Sequence, residues 1–156
     1  MQLPKIEFQV DKNEVKRYLR YRRNEIDEET NSIIRQCICE IKAEVKPRFI
    51  YQKFPLVPNS NGLKIGKTNF ILSSQSLLSH LEQSSSVYLL AATLGTSMDR
   101  LLIRYNKTDV SKALVCDACA SSYIEEVCDQ ITKYIVRKEQ PNLITKRFSP
   151  GYGDLL

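Results

Sequence analysis

Lys46-Pro47-Arg48-Phe49-Ile50-Tyr51-Gln52-Lys53-Phe54-Pro55-Leu56-Val57-Pro58 is where the chain changes character. Upstream, Ile33, Ile34, Cys37, Ile38, Ile41 and Val45 recur at the 3.6-residue spacing of a helix that opens after Asp27 and that Pro47 must stop. Downstream, Arg48 to Leu56 is rich in aromatic and β-branched side chains, which favour a strand, and Pro55 and Pro58 mark its end as a sheet edge. A helix delivered directly into a strand by one proline sets the fold class, and the rest of the chain is read outward from this switch.

Toward the C-terminus, Asn59-Ser60-Asn61-Gly62 predicts a turn, Leu63 to Ile65 a short strand, Gly66-Lys67 a second turn, and Asn69 to Leu72 a further strand. Ser74 to Glu82 then reads as a short helix and Val87 to Leu94 as a buried strand, with Thr96 to Tyr105 a helix entered across Gly95. Asp109 caps the longest helix, predicted to reach Lys138 before Pro141. Toward the N-terminus, Asp11 with Glu14 three residues on has the form of a capping box for a helix ending near Arg23, with Val15, Tyr18, Leu19 and Arg22 on one face. The expected fold class is α+β, a mainly antiparallel sheet flanked by helices in one domain over 1–156: N-terminal helices at 1–47, sheet region at 48–105, long helix at 109–138, loop at 139–156.

Composition supports a folded chain: 42% of the 156 residues are hydrophobic and 26% charged, enough apolar surface for a core. No apolar run approaches the roughly 18 residues of a membrane span, and Met1 to Val10 has no signal-peptide apolar region, so the expected location is the cytoplasm. One histidine, His80, leaves little for a His-based triad or metal site. Five cysteines within helical patterns read as reduced, mostly buried thiols, not a disulfide framework. The spacing Cys116-x-x-Cys119 has no second pair and no histidine, which makes zinc the weaker reading.

The tail, Arg147-Phe148-Ser149-Pro150-Gly151-Tyr152-Gly153-Asp154-Leu155-Leu156, is the most unusual stretch. Pro150-Gly151 suits the centre of a type II turn, which would bring Ser149 and Tyr152 together. Arg147 offers a fork for a carboxylate, Gly151 a backbone that a ligand can approach, and Tyr152 a flat ring. A small zwitterion bearing a heterocycle would suit such a loop, and a tight turn that only closes the fold is the alternative.

Arg147-x-x-x-Gly151-Tyr152, followed by Gly153-Asp154-Leu155, resembles the S-adenosylmethionine-binding motif of the activation domain of cobalamin-dependent methionine synthase. The likeness extends to Tyr18-Leu19-Arg20-Tyr21-Arg22 with Glu25-Ile26-Asp27, to Ala91-Ala92-Thr93-Leu94-Gly95 with Asp99-Arg100, and to Lys112-Ala113-Leu114 through Asp117-Ala118-Cys119-Ala120. The chain is similar to small standalone members of that family, shortened beyond the motif. The resemblance implies a twisted antiparallel sheet flanked by helices. It also implies an S-adenosylmethionine-binding module, a component of a methyltransferase system in methionine biosynthesis, that supports reductive methylation of cobalamin without being a complete enzyme. The cobalamin would be held by a methionine synthase or related corrinoid protein, and a flavodoxin-like donor would supply the electron. By the same resemblance Arg147 would hold the ligand carboxylate, Ser149, Gly151 and Tyr152 would receive the rest, and Glu125 on the long helix would receive the amino group. The alternative function is a protein-interaction or scaffolding module whose ligand site has decayed.

Two further patterns carry expectations. On the long helix Val110, Ala113, Leu114, Ile124, Cys128, Ile131 and Ile135 form an expected apolar stripe that includes Asp117 and Ser121, so Asp117 would need a partner. Lys16, Arg17, Arg20, Arg22 and Arg23 interleave with Tyr18 and Tyr21 as in a nucleic-acid patch, yet Glu25, Asp27, Glu28 and Glu29 follow at once, and a solvated, ion-paired surface is the stronger reading. Gly62-x-x-x-Gly66-Lys67-Thr68 ends like a phosphate loop but opens no helix, which excludes nucleotide hydrolysis.

Overall fold

In the computed structural model, residues 5–21, 26–140 and 144–149 are described. The fold is α+β with five helices and a four-stranded antiparallel sheet. The elements run α1 (Lys12–Tyr18), α2 (Glu28–Glu44), β1 (Arg48–Asn59), β2 (Gly62–Ile65), β3 (Ile71–Leu72), α3 (Gln75–Leu81), β4 (Ser86–Thr93), α4 (Thr96–Thr108) and α5 (Val110–Glu139). The chain forms two compact units, a helical one of Met1–Phe49 with Ala92–Pro141 and a sheet-bearing one of Ile50–Ala91 with Asn142–Leu156.

In the helical unit α5 is the central element, with α1, α2 and α4 all packed on it. Its entry is decided by Asp109, whose backbone N–H donates to the Tyr105 carbonyl at 2.7 Å to close α4, while its side chain accepts from the Lys112 N–H to open α5. Asp27 starts α2 in the same way, accepting from the Thr30 N–H and hydroxyl, and these bonds, the backbone one foremost, hold its carboxyl below the usual range. The core is built from Val15 of α1, Ile34, Cys37 and Ile41 of α2, Met98, Leu101 and Tyr105 of α4, and Cys116, Cys119, Tyr123, Val127 and Ile131 of α5.

The buried side of α5 matches the expected stripe in part: Ala113, Ile131 and Ile135 are buried, and the first turns differ. Val110 and Leu114 are 71% and 62% exposed and Asp117 lies in the open, whereas Val115, Cys116, Ala118, Cys119, Ala120, Ser122 and Tyr123 are buried. Small side chains let neighbouring helices come close around this segment, so size outweighs hydropathy in setting which face is covered. Asp117 therefore needs no buried partner.

α1 also departs from expectation. Asp11 accepts from the Asn13 N–H, but Glu14 pairs with Arg17 at 2.5 Å instead of returning to Asp11. The Asp11 N–H goes to the Ser122 hydroxyl of α5 at 3.0 Å, so a distant residue replaces the second half of the capping box. The helix stops at Tyr18, short of Arg23, in a two-bond C-terminal cap: the Arg20 N–H donates to the Arg17 carbonyl and the Tyr21 N–H to the Lys16 carbonyl. Arg20 has φ +61°, a left-handed position where glycine is usual and any side chain costs on the order of 1 kcal/mol.

In the sheet-bearing unit the strand order is β3-β2-β1-β4, with Leu56 opposite Ile65 and Leu63 opposite Leu72. β3 is shorter than the sequence predicts because Thr68 ties up the preceding turn, its hydroxyl donating to the Ile65 carbonyl and accepting from the Phe70 N–H. Gly62, at φ +137°, sits where a Cβ would lie 2.0 Å from the Leu72 carbonyl oxygen, so only glycine lets β2 begin against β3. Ser74 caps α3 through the Leu77 N–H, and Ile65, Leu72, Leu77 and Leu81 make this unit's core, with Phe54, Leu56, Leu63, Val87 and Phe148 against it. Among the described residues no helix is long and apolar enough to cross a membrane.

Candidate functional site

Of the residues that the sequence singles out for a ligand, Arg147 and Ser149 are described, and both are exposed. Gly151 and Tyr152 lie outside the described residues, as does the turn expected at Pro150-Gly151. Glu125 is exposed on α5 and belongs to the helical unit, whereas Arg147 and Ser149 belong to the sheet-bearing unit.

The approach to the motif is held from two sides. Phe148 packs on the Ile65, Leu72, Leu77 and Leu81 cluster, and its ring lies 5.6 Å, centroid to centroid, from that of His80. His80 Nε2 donates to the Lys146 carbonyl at 2.7 Å. Because Lys146 and Phe148 flank Arg147, the two contacts fix the backbone on both sides of the guanidinium while leaving it at the surface. His80 reads in the sequence as an ordinary surface residue. Its role here depends on a partner 66 residues away, and only the alternation of Leu77, Leu78 and Leu81 around it hints that α3 has a face to cover.

The surroundings of Glu125 are cationic on one side. The Arg17 guanidinium of α1 is pushed above its ordinary pKa, first by the hydrogen bond and charge of Glu14 and, as a smaller contribution, by the charge of Glu125. This arrangement puts a carboxylate of α5 and a guanidinium of α1 in one electrostatic neighbourhood.

The most connected polar group of the helical unit is Glu40 on α2, which no sequence pattern revealed. It accepts from the Tyr105 hydroxyl, from Arg104 Nη2 at 2.9 Å and from Lys112 Nζ at 3.0 Å. Partial burial raises its pKa, but the bonds from Tyr105 and Lys112 and the two positive charges outweigh that, and the carboxyl stays below its ordinary value. Lys112 is correspondingly raised, foremost by its contact with Tyr105, over whose ring its ammonium stands at 4.5 Å. This cluster ties α2, α4 and α5 together.

The cysteines differ in exposure and acidity, Cys39 being exposed and the Cys37 thiol held below its ordinary pKa by its hydrogen bond with Cys116. Cys37, Cys116 and Cys119 are buried, and all five thiols are free. The hydrogen bond with Cys37, with burial next, drives the Cys116 thiol upward, and burial pushes Cys119 up to about 12. Among the described residues no cluster of His, Cys, Asp and Glu could hold a metal ion, and the Cys116-x-x-Cys119 pair faces the core. The Gly66 N–H donates to the Pro55 carbonyl at 2.8 Å, leaving the Gly62 to Thr68 turn committed to the sheet, not to a phosphate. No protein-family model matches the chain, and no curated protein sequence does.

Proposed function

We propose that the chain is an S-adenosylmethionine-binding module of the methionine synthase activation-domain type. Its role is to support reductive methylation of cobalamin carried by a methionine synthase or related corrinoid protein. The observation that carries this reading is the motif Arg147-x-x-x-Gly151-Tyr152, with its first residue presented at the surface between the two fixed points Lys146 and Phe148. The α+β class, with an antiparallel sheet and helices, agrees with what the resemblance implies.

In this reading Arg147 binds the ligand carboxylate with its planar fork, a charge-assisted pair that also orients the amino acid end. Ser149 and Gly151 receive the ligand through the backbone, and Tyr152 lies against its heterocycle. The bound S-adenosylmethionine supplies a methyl group on a sulfonium. The corrinoid and the flavodoxin-like electron donor belong to partner proteins, so this chain positions the methyl donor and is not a complete enzyme.

Calorimetric titration with S-adenosylmethionine tests it. Binding is expected, with Arg147→Ala weakening it by about 1.5–3 kcal/mol, the scale of a hydrogen bond to a charged group. Equal affinity in parent and variant removes Arg147 from the site. Absence of binding in both leaves the scaffolding module as the better reading.

A further inference from the structure

The basic segment at the end of α1 borders an open groove. A pocket of about 610 Å³ opens there, lined by Asn13, Lys16, Arg17, Arg20 and Tyr21. Three cations face one cavity. Arg17 is paired with Glu14, while Lys16 and Arg20 have no ion pair among the described residues. Lys16 and Arg17 lie in the last turn, where positive charge favours the helix dipole irrespective of any ligand. That cause does not extend to Arg20, which occupies the left-handed cap position that glycine would fill without strain. Strained backbone bearing a functional side chain at the rim of a cavity is the pattern found at ligand clamps.

We propose that this pocket binds a nucleoside diphosphate or a ligand of that chemistry. Lys16, Arg17 and Arg20 meet the phosphates, guanidinium forks being suited to paired phosphate oxygens. Asn13 adds a neutral donor and acceptor, and the Tyr21 ring gives the base an apolar surface. The volume lies within the range of small-molecule sites and exceeds what a single phosphate needs. Glu14 and, less strongly, Glu125 offset Arg17, so affinity depends most on Lys16 and Arg20. S-adenosylmethionine, with its sulfonium and net positive charge, is a poor match for the cavity.

Titration calorimetry with ADP, inorganic pyrophosphate and adenosine tests the proposal. ADP is expected to bind most tightly, pyrophosphate more weakly and adenosine at least about tenfold more weakly than ADP, with affinity falling as salt rises. Arg20→Gly gives the decisive pair of signs: its melting temperature should rise by about a few degrees as cap strain is relieved, while ADP affinity drops at least about tenfold. Lys16→Gln, which leaves the cap untouched, should lower affinity by a similar factor. ADP affinity weaker than millimolar, or Arg20→Gly and Lys16→Gln binding ADP like the parent, overturns the assignment, and binding of an acidic protein without ADP binding does the same.

Discussion

At Glu40 three donors from two other helices meet one carboxylate, and the consequence is a pH-dependent term in stability. Its folded-state pKa is depressed, so its contribution is fully present above the unfolded value of about 4.3 and is lost as pH falls through the folded value. Glu40→Gln should therefore be less stable than the parent by about 1–2 kcal/mol at neutral pH, and the gap should close toward pH 3. Urea unfolding of both proteins at the two pH values measures it. A gap that persists undiminished in acid would mean that the carboxylate's shape, not its charge, holds the helices. Tyr105 keeps its proton throughout, since burial, and after it the bond to Glu40, pushes its pKa upward.

At the level of elements, part of what seats residues 144–149 is identifiable. Phe148 is partly buried on the sheet-bearing unit's core, and His80 of α3 adds contacts to the Lys146 carbonyl and the Thr145 hydroxyl. Phe148→Ala should cost about 1–2 kcal/mol in that contact, and His80→Ala about 1 kcal/mol. Hydrogen exchange at residues 144–149 should accelerate in both variants while α5 stays protected. If S-adenosylmethionine binds as proposed, each should also weaken it, Phe148→Ala more, because Arg147 then has to be ordered by the ligand. Exchange unchanged in both would show that other contacts carry the tail.

Elements were legible where their causes are local. Asp27, Ser74 and Asp109 each bond an N–H three residues ahead, so cap and helix are read from the same short string. The Asp11-Glu14 box does not form because Ser122, far along the chain, supplies the partner, and the α5 stripe holds at Ala113, Ile131 and Ile135 but not at Val110 and Leu114, which outrank alanine and serine in hydropathy but not in closeness of packing. The candidate site shows the same divide. Arg147 and Ser149 stand out by composition, whereas His80 and Phe148, which seat them, act only through the folded sheet.

For the molecule as a whole, the cysteines report which parts open. Cys39 is exposed, whereas Cys37, Cys116 and Cys119 are sealed in the core of the helical unit. A thiol reagent such as Ellman's should label Cys39 rapidly in the native protein and those three only at the rate at which the helical unit opens, with Cys119 further protected by its raised pKa. Added urea should bring all five into one fast phase. Rapid native labelling of Cys116 would contradict the packing around α5.

Asp109 has one further implication, best put as mechanics. It ends α4 and begins α5 with no residue to spare, so the joint has no free play. Its N–H and carboxylate serve different helices, and its carbonyl accepts from Ala113. A linker of one residue transmits rotation without loss: whatever turns α4 about its axis must turn α5 as well, or break the Tyr105, Lys112 and Glu40 contacts that bracket the corner. One inserted residue would shift the angular phase of α5 by about 100° and present Lys112 and Val115 where Ala113 and Cys116 now sit. The corner thus acts as a gear with fixed teeth, tolerant of changes in what its outer surface carries and intolerant of any change in count.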